Sequence, residues 1–160
     1  MALTAAQLVA LKAEIDGDPA LSGQPLNDDG HFAIAEAMNL PAVPQFIVWK
    51  TDMAVKDVKN AIVWTEYIAA ANAAERGALD LMISNGIVNA ADVNIRQGFQ
   101  DIFSGPNAAG TRNNLVAIAK RDATRAEGLF ANGTGSDASP GTMTFEGSIN
   151  FRDIRQARAL

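Results

Sequence analysis

The residues with the chemistry for catalysis are few in this chain, and their spacing argues against it. His31 is the only histidine. A Ser-His-Asp arrangement would have to use it, yet no nucleophile motif lies near it. It is expected to be a surface or helix-start histidine. Asp16-Gly17-Asp18 and Asn27-Asp28-Asp29-Gly30 offer carboxylates for calcium. Neither has the alternating oxygens, central glycine and twelfth-position glutamate of an EF-hand loop. Both fit better as a helix stop and a turn. Gly133-Thr134-Gly135-Ser136 has the small residues of a phosphate cradle but lacks the closing Gly-Lys-Ser/Thr. Without cysteine, disulfides and thiolate metal sites are excluded. No catalytic, cofactor or metal residues are assigned, and the chain is expected not to be an enzyme.

Binding is better represented. Arg152, Arg155 and Arg158 recur every third residue near the end of the chain. On a helix they share a face, with Phe151 beside them. Such a face could meet DNA phosphates. The chain as a whole is acidic, however, with net charge -5 and a pI near 4.7. An acidic protein surface is the better match, because planar guanidinium suits interfaces. Phe145, Phe151, Arg152, Arg155 and Arg158 are therefore the expected partner-binding residues. Trp49 and Trp64 are expected to be core anchors, with an interface role as the alternative.

The elements that must position these groups read as mainly helical. Apolar residues make up 48% of the chain and aromatics only 6%. Much of the apolar fraction is alanine, the best helix former. Thr4 and Gln7 have capping-box spacing and open a helix carrying Leu8, Leu11 and Ile15 on one face. Gly17 and Pro19 end it. Residues 18–30 read as loop and 31–38 as a short helix. Pro41 and Pro44 force an extended connection. Phe46 to Trp49 is apolar, and periodicity leaves strand or buried extended chain open.

Val55, Val58 and Ile62 restore helical spacing, and 65–85 reads as the longest helix, stopped at Gly86. A helix over 91–103 breaks at Ser104-Gly105-Pro106-Asn107. Thr111 is expected to cap the next one, which runs to about Phe130. Residues 131–141 are rich in Gly and Ser. Ordering such a loop costs entropy that a neighbouring molecule could offset. Met143 and Phe145 alternate with polar residues as in a short strand. Asn150 and Asp153 have capping spacing for a last helix. The fold expected is a helical domain over 1–130, followed by an extended loop, short strand or hairpin and terminal helix over 131–160. Residues 1–20 lack a signal-peptide pattern, and no apolar run is long enough to span a bilayer. A soluble compartment is expected.

Several stretches resemble one family. They are Leu3-Thr-Ala-Ala-Gln-Leu8, Phe46-Ile-Val-Trp-Lys-Thr51, Thr65-Glu66, Phe103-Ser-Gly-Pro-Asn-Ala-Ala-Gly-Thr-Arg112, Lys120-Arg-Asp-Ala-Thr-Arg-Ala-Glu-Gly-Leu-Phe130, Gly133-Thr-Gly-Ser-Asp-Ala-Ser-Pro140 and Phe145-Glu-Gly-Ser148. Together they resemble small virion proteins of tailed bacteriophages, most specifically over 123–148, and among these the head-to-tail connector (adaptor or neck) proteins. The resemblance implies a subunit of a ring, commonly twelve-fold, made in the host bacterial cytoplasm and built into the virion neck. Its implied partners are further copies of itself, the portal protein and the next tail component. DNA would meet it only in passing through the ring. The alternatives are another neck, minor capsid or tail-terminator protein, or a non-enzymatic nucleic-acid-binding phage protein.

Overall fold

A computed structural model describes residues 2–160, the side chain of Ala70 apart. In chain order the elements are α1 (Ala5–Gly17), α2 (Pro19–Ser22), α3 (Asp28–Asn39), β1 (Ile47–Trp49), β2 (Met53–Ala54), α4 (Val55–Ala61), α5 (Trp64–Ala70), α6 (Ala73–Ile83), β3 (Ile87–Val88), α7 (Val93–Ile102), α8 (Ala109–Ile118), β4 (Lys120–Asp122), α9 (Arg125–Leu129), β5 (Ala131–Asn132), β6 (Thr142–Met143) and α10 (Phe151–Arg158). A 3-10 turn over Pro106–Ala108 precedes α8. The fold is mainly α, with strands of only two or three residues.

The chain forms two compact units, one inserted in the other. The first comprises residues up to Val48 together with Asp122–Leu160, and the second is Trp49–Arg121. These bounds differ from the expected division at 130/131. The reason is burial: Phe145, Ile149, Ile154 and Ala157 share one core with Leu11, Ile15, Ile34 and Met38. A segment that buries four apolar side chains among N-terminal helices belongs to their unit.

In the first unit α10 packs on α3 and α1. Thr4 and Gln7 make the expected capping box at the start of α1. Residues 18–30, read as loop, hold α2 and the start of α3, because Asp18 caps one and Asn27 the other. The Gly/Ser-rich loop is ordered by its own chain. The Ile47 N–H donates to the Gly135 carbonyl at 2.7 Å, and the Gly141 N–H to the Ile47 carbonyl at 2.8 Å. The Phe46 ring lies against Gly128, Gly135 and Gly141. β5, at the start of the segment read as loop, pairs antiparallel with β6 across it as a short hairpin; the strand expected through Met143 and Phe145 is only Thr142–Met143.

In the second unit the core is Val58, Leu79, Val88, Phe99, Ile102, Phe103, Leu115 and their neighbours. The long helix expected over 65–85 is two helices, α5 and α6. Asn72 breaks it: its side-chain oxygen accepts from the Ala74 and Glu75 amides, and Glu75 returns a bond to the Asn72 N–H. The helix expected from 111 to about 130 is likewise split. It ends at Ile118, and α9 restarts in the first unit behind a Thr124–Glu127 capping box. Trp64 is not a core anchor; it is 53% exposed, its ring edge-on to Tyr67. Trp49 is half-buried.

Candidate functional site

The expected binding residues separate on folding. Phe145 is buried and packs edge-to-face on Phe130, with ring centroids 5.5 Å apart. It is a core residue, unavailable to a partner. Arg158 is spent internally: its guanidinium donates to the Gln24 carbonyl at 2.9 Å and the Pro25 carbonyl at 3.1 Å. It ties α10 to the turn that leads into α3. Phe151, Arg152 and Arg155 are the three that reach the surface.

Their placement follows from local chemistry. Asn150 accepts from the Arg152 and Asp153 amides, and Asp153 accepts from the Asn150 N–H at 2.9 Å. This capping box fixes where α10 starts, and so which side chains turn inward. Ile154 and Ala157 are fully buried, whereas Arg152 and Arg155 are exposed. Phe151 stacks on Phe32 of α3 at 4.4 Å with 28° between the rings. The Arg152 guanidinium sits 5.7 Å from the Phe151 ring centroid. Phe32 is 54% exposed. Sequence reasoning missed Phe32, although its place beside the lone histidine at a helix start is visible. Only the tertiary packing of α3 on α10 pairs it with Phe151.

His31 itself is buried, against expectation, because it lies on the inward side of α3 with Ile34, Ala35 and Met38. Its Nδ1 lies 4.0 Å from Asp28 Oδ1, beyond hydrogen-bond range. Among the described residues no group of three or more His, Asp or Glu side chains could hold a metal ion.

The second unit carries a half-open cleft of about 310 Å³, walled by Trp49, Phe99, Leu115, Val116 and their neighbours on α7 and α8. Arg96 and Arg112 supply its charge, Gln100 and Asn113 further polar groups, and no Asp or Glu lines it. The Arg96 guanidinium lies 4.7 Å over the Trp49 ring and donates to the Ala90 carbonyl. Arg112 donates through Nη1 to the Phe103 and Gly105 carbonyls. These bonds orient both cations, which line the cleft.

The α8 wall of that cleft is held by Glu66. Ala108 gives α8 no side-chain cap. The Glu66 carboxylate takes that place, accepting from the Gly110 N–H at 3.2 Å and the Thr111 N–H at 2.7 Å. Thr111, expected as the cap, is instead inside the helix and fully buried; its hydroxyl oxygen accepts from the Val63 N–H. The Thr111 amide and hydroxyl bonds, then the Gly110 amide and the Arg112 charge, hold the Glu66 carboxyl below its ordinary range. A depressed folded-state pKa contributes stability that is present above the unfolded value and lost on acidification. Glu66→Gln is therefore expected to lower the thermal midpoint at pH 7. It should also flatten the loss of stability seen as pH falls below about 4.3. Melts of both proteins from pH 7 to pH 3 check this.

Asp18 is lowered in the same direction, first by its bond from Arg125 and then by the Ala20 amide. Arg125 also bonds Glu14 at 2.8 Å, so one guanidinium joins α9 to the end of α1. No described helix is long and apolar enough to cross a membrane. No family model, curated protein or solved structure matches the chain.

Proposed function

We propose that this chain is a structural protein of a tailed-phage virion, a head-to-tail connector subunit that docks on the portal within a ring. It works by binding, without catalysis or cofactor. The observation that carries the docking part is the Phe32–Phe151 stack flanked by exposed Arg152 and Arg155. An aromatic pair of one exposed and one half-buried ring beside arginine has the composition of an interface hot spot. The sequence resemblance over 123–148 supplies the phage context. The partners proposed are further copies of the chain, the portal and the next tail component. The proposed place is the virion neck, after synthesis in the bacterial cytoplasm.

A nucleic-acid-binding role has less support. The unit that bears the arginines holds eleven Asp/Glu against five Lys/Arg, so its field opposes phosphate. Mass analysis and cryo-electron microscopy of purified virions test the proposal. The expected result is density for this chain at the neck, with α10 against the portal. Virions that lack the chain would refute it. Arg152→Glu with Arg155→Glu is expected to leave the circular dichroism spectrum unchanged. Incorporation into virions should fall about tenfold or more, on the scale of one hot-spot residue.

A further inference from the structure

The cleft of the second unit has a wall chemistry that describes its occupant. Its lining is apolar side chains with two arginines and no carboxylate. Glu66, the acid near Arg112, is taken up by the Gly110 and Thr111 amides. An occupant should therefore bring one apolar side chain and more than one carboxylate. We propose that it is the turn Leu26 to Asp29 of a second copy of this chain.

That turn carries what the cleft lacks. Leu26 is 79% exposed, and Asp28 and Asp29 beside it are exposed too. Phe32, one turn beyond Asp28 and Asp29, already stacks on Phe151, and the other exposed apolar residues have less charge to offer. Leu81 adjoins only Asp80, and Val93 only Asp92. The turn is also rigid. The Asn27 side chain accepts from the Gly30 N–H at 2.9 Å, and Arg158 holds the Gln24 and Pro25 carbonyls. A preformed turn has little entropy left to lose on docking. The contact joins two different surfaces, so it is heterologous, and repeated copies close into a ring or run on as a filament. The inference deepens the ring-subunit proposal and rests on it.

The absence of native cysteine makes the contact directly testable. Full-length chains bearing Leu26→Cys are mixed with chains bearing Val116→Cys, a cleft residue 44% exposed, under mild oxidation. The expected product is the mixed disulfide dimer. Ile68→Cys, exposed but outside the cleft lining, replaces Val116→Cys in the control. Adding Asp28→Asn and Asp29→Asn, which keep side-chain shape, is expected to cut the cross-link about tenfold through the loss of two charge pairs. A yield no higher than the Ile68→Cys control overturns the docking, whether the copies associate by sedimentation or stay monomeric. That result leaves the neck proposal to the virion test. Absence from virions would sink the neck proposal without touching a cross-link already observed.

Discussion

Gly135→Ala is expected to destabilise the first unit by about 2–5 kcal/mol. Two costs add. Gly135 has φ of +63°, where an L side chain costs about 1–2 kcal/mol. A Cβ there would also lie 2.4 Å from the Phe46 ring, and overpacking of this kind costs about 1–3 kcal/mol. The same ring faces two further glycines: a Cβ built at Gly141 would lie 2.6 Å from it and one at Gly128 3.4 Å. The two costs separate in a double-mutant cycle. In a Phe46→Ala background the steric part vanishes, and Gly135→Ala should cost only about 1–2 kcal/mol. Urea unfolding followed by hydrogen exchange of amides in 131–150 is the measurement. Equal costs in both backgrounds would show that the ring does not press on this glycine.

A second large effect is expected at Glu127, which is 3% exposed. One carboxylate oxygen accepts from the Thr124 N–H at 3.0 Å and the other from the Gly147 N–H at 3.1 Å. The first bond closes the capping box of α9; the second reaches across 20 residues to the turn before α10. Truncation to alanine leaves both amides without this acceptor, at about 1–3 kcal/mol for each that water cannot reach. Glu127→Ala should thus cost about 2–3 kcal/mol in all. Thr124→Ala removes only the hydroxyl half of the box and should cost about 1 kcal/mol. Glu127→Gln should fall between them, because its amide can accept one N–H but turns donors toward the other. Chemical denaturation of the three variants ranks them, and a Glu127→Ala protein no less stable than Thr124→Ala would refute the bridging role.

Local features of the fold were legible in the sequence. The caps at Thr4 and Asn150 are complete within four residues, so spacing alone reveals them. The helix break at Ala71 and Asn72 was missed, although Asn72 and Glu75 have the same spacing. An alanine-rich stretch with no Gly or Pro from 65 to 76 reads as continuous, and its cap competes with a strong helical propensity. Thr124 and Glu127 hid in the same way behind the helical pattern of 111–130. What local pattern cannot carry is pairing between distant segments. Phe46 with three glycines, Phe32 with Phe151 and Arg158 with Gln24 all depend on the return of the chain. The proposed binding face was therefore half visible. Phe151, Arg152 and Arg155 stood out by type, whereas the roles of Phe145 and Arg158 are set by what they pack against.

The insertion of one unit within the other also sets an order of events at the ribosome. Residues 49–121 are contiguous and can collapse as soon as they emerge. The helices α1 to α3 are made first, yet their core needs Phe145, Ile149 and Ile154. At about 5–20 residues per second, the stretch 122–160 adds roughly 2–8 s of synthesis. During that interval Leu11, Ile15, Ile34 and Met38 await the side chains that complete their core, a natural window for chaperone binding. The earlier-made helices are thus finished last, and a chain ending at residue 121 that is held clear of the exit tunnel by an unstructured C-terminal linker should protect the amides of α4 to α8 before those of α1 and α3.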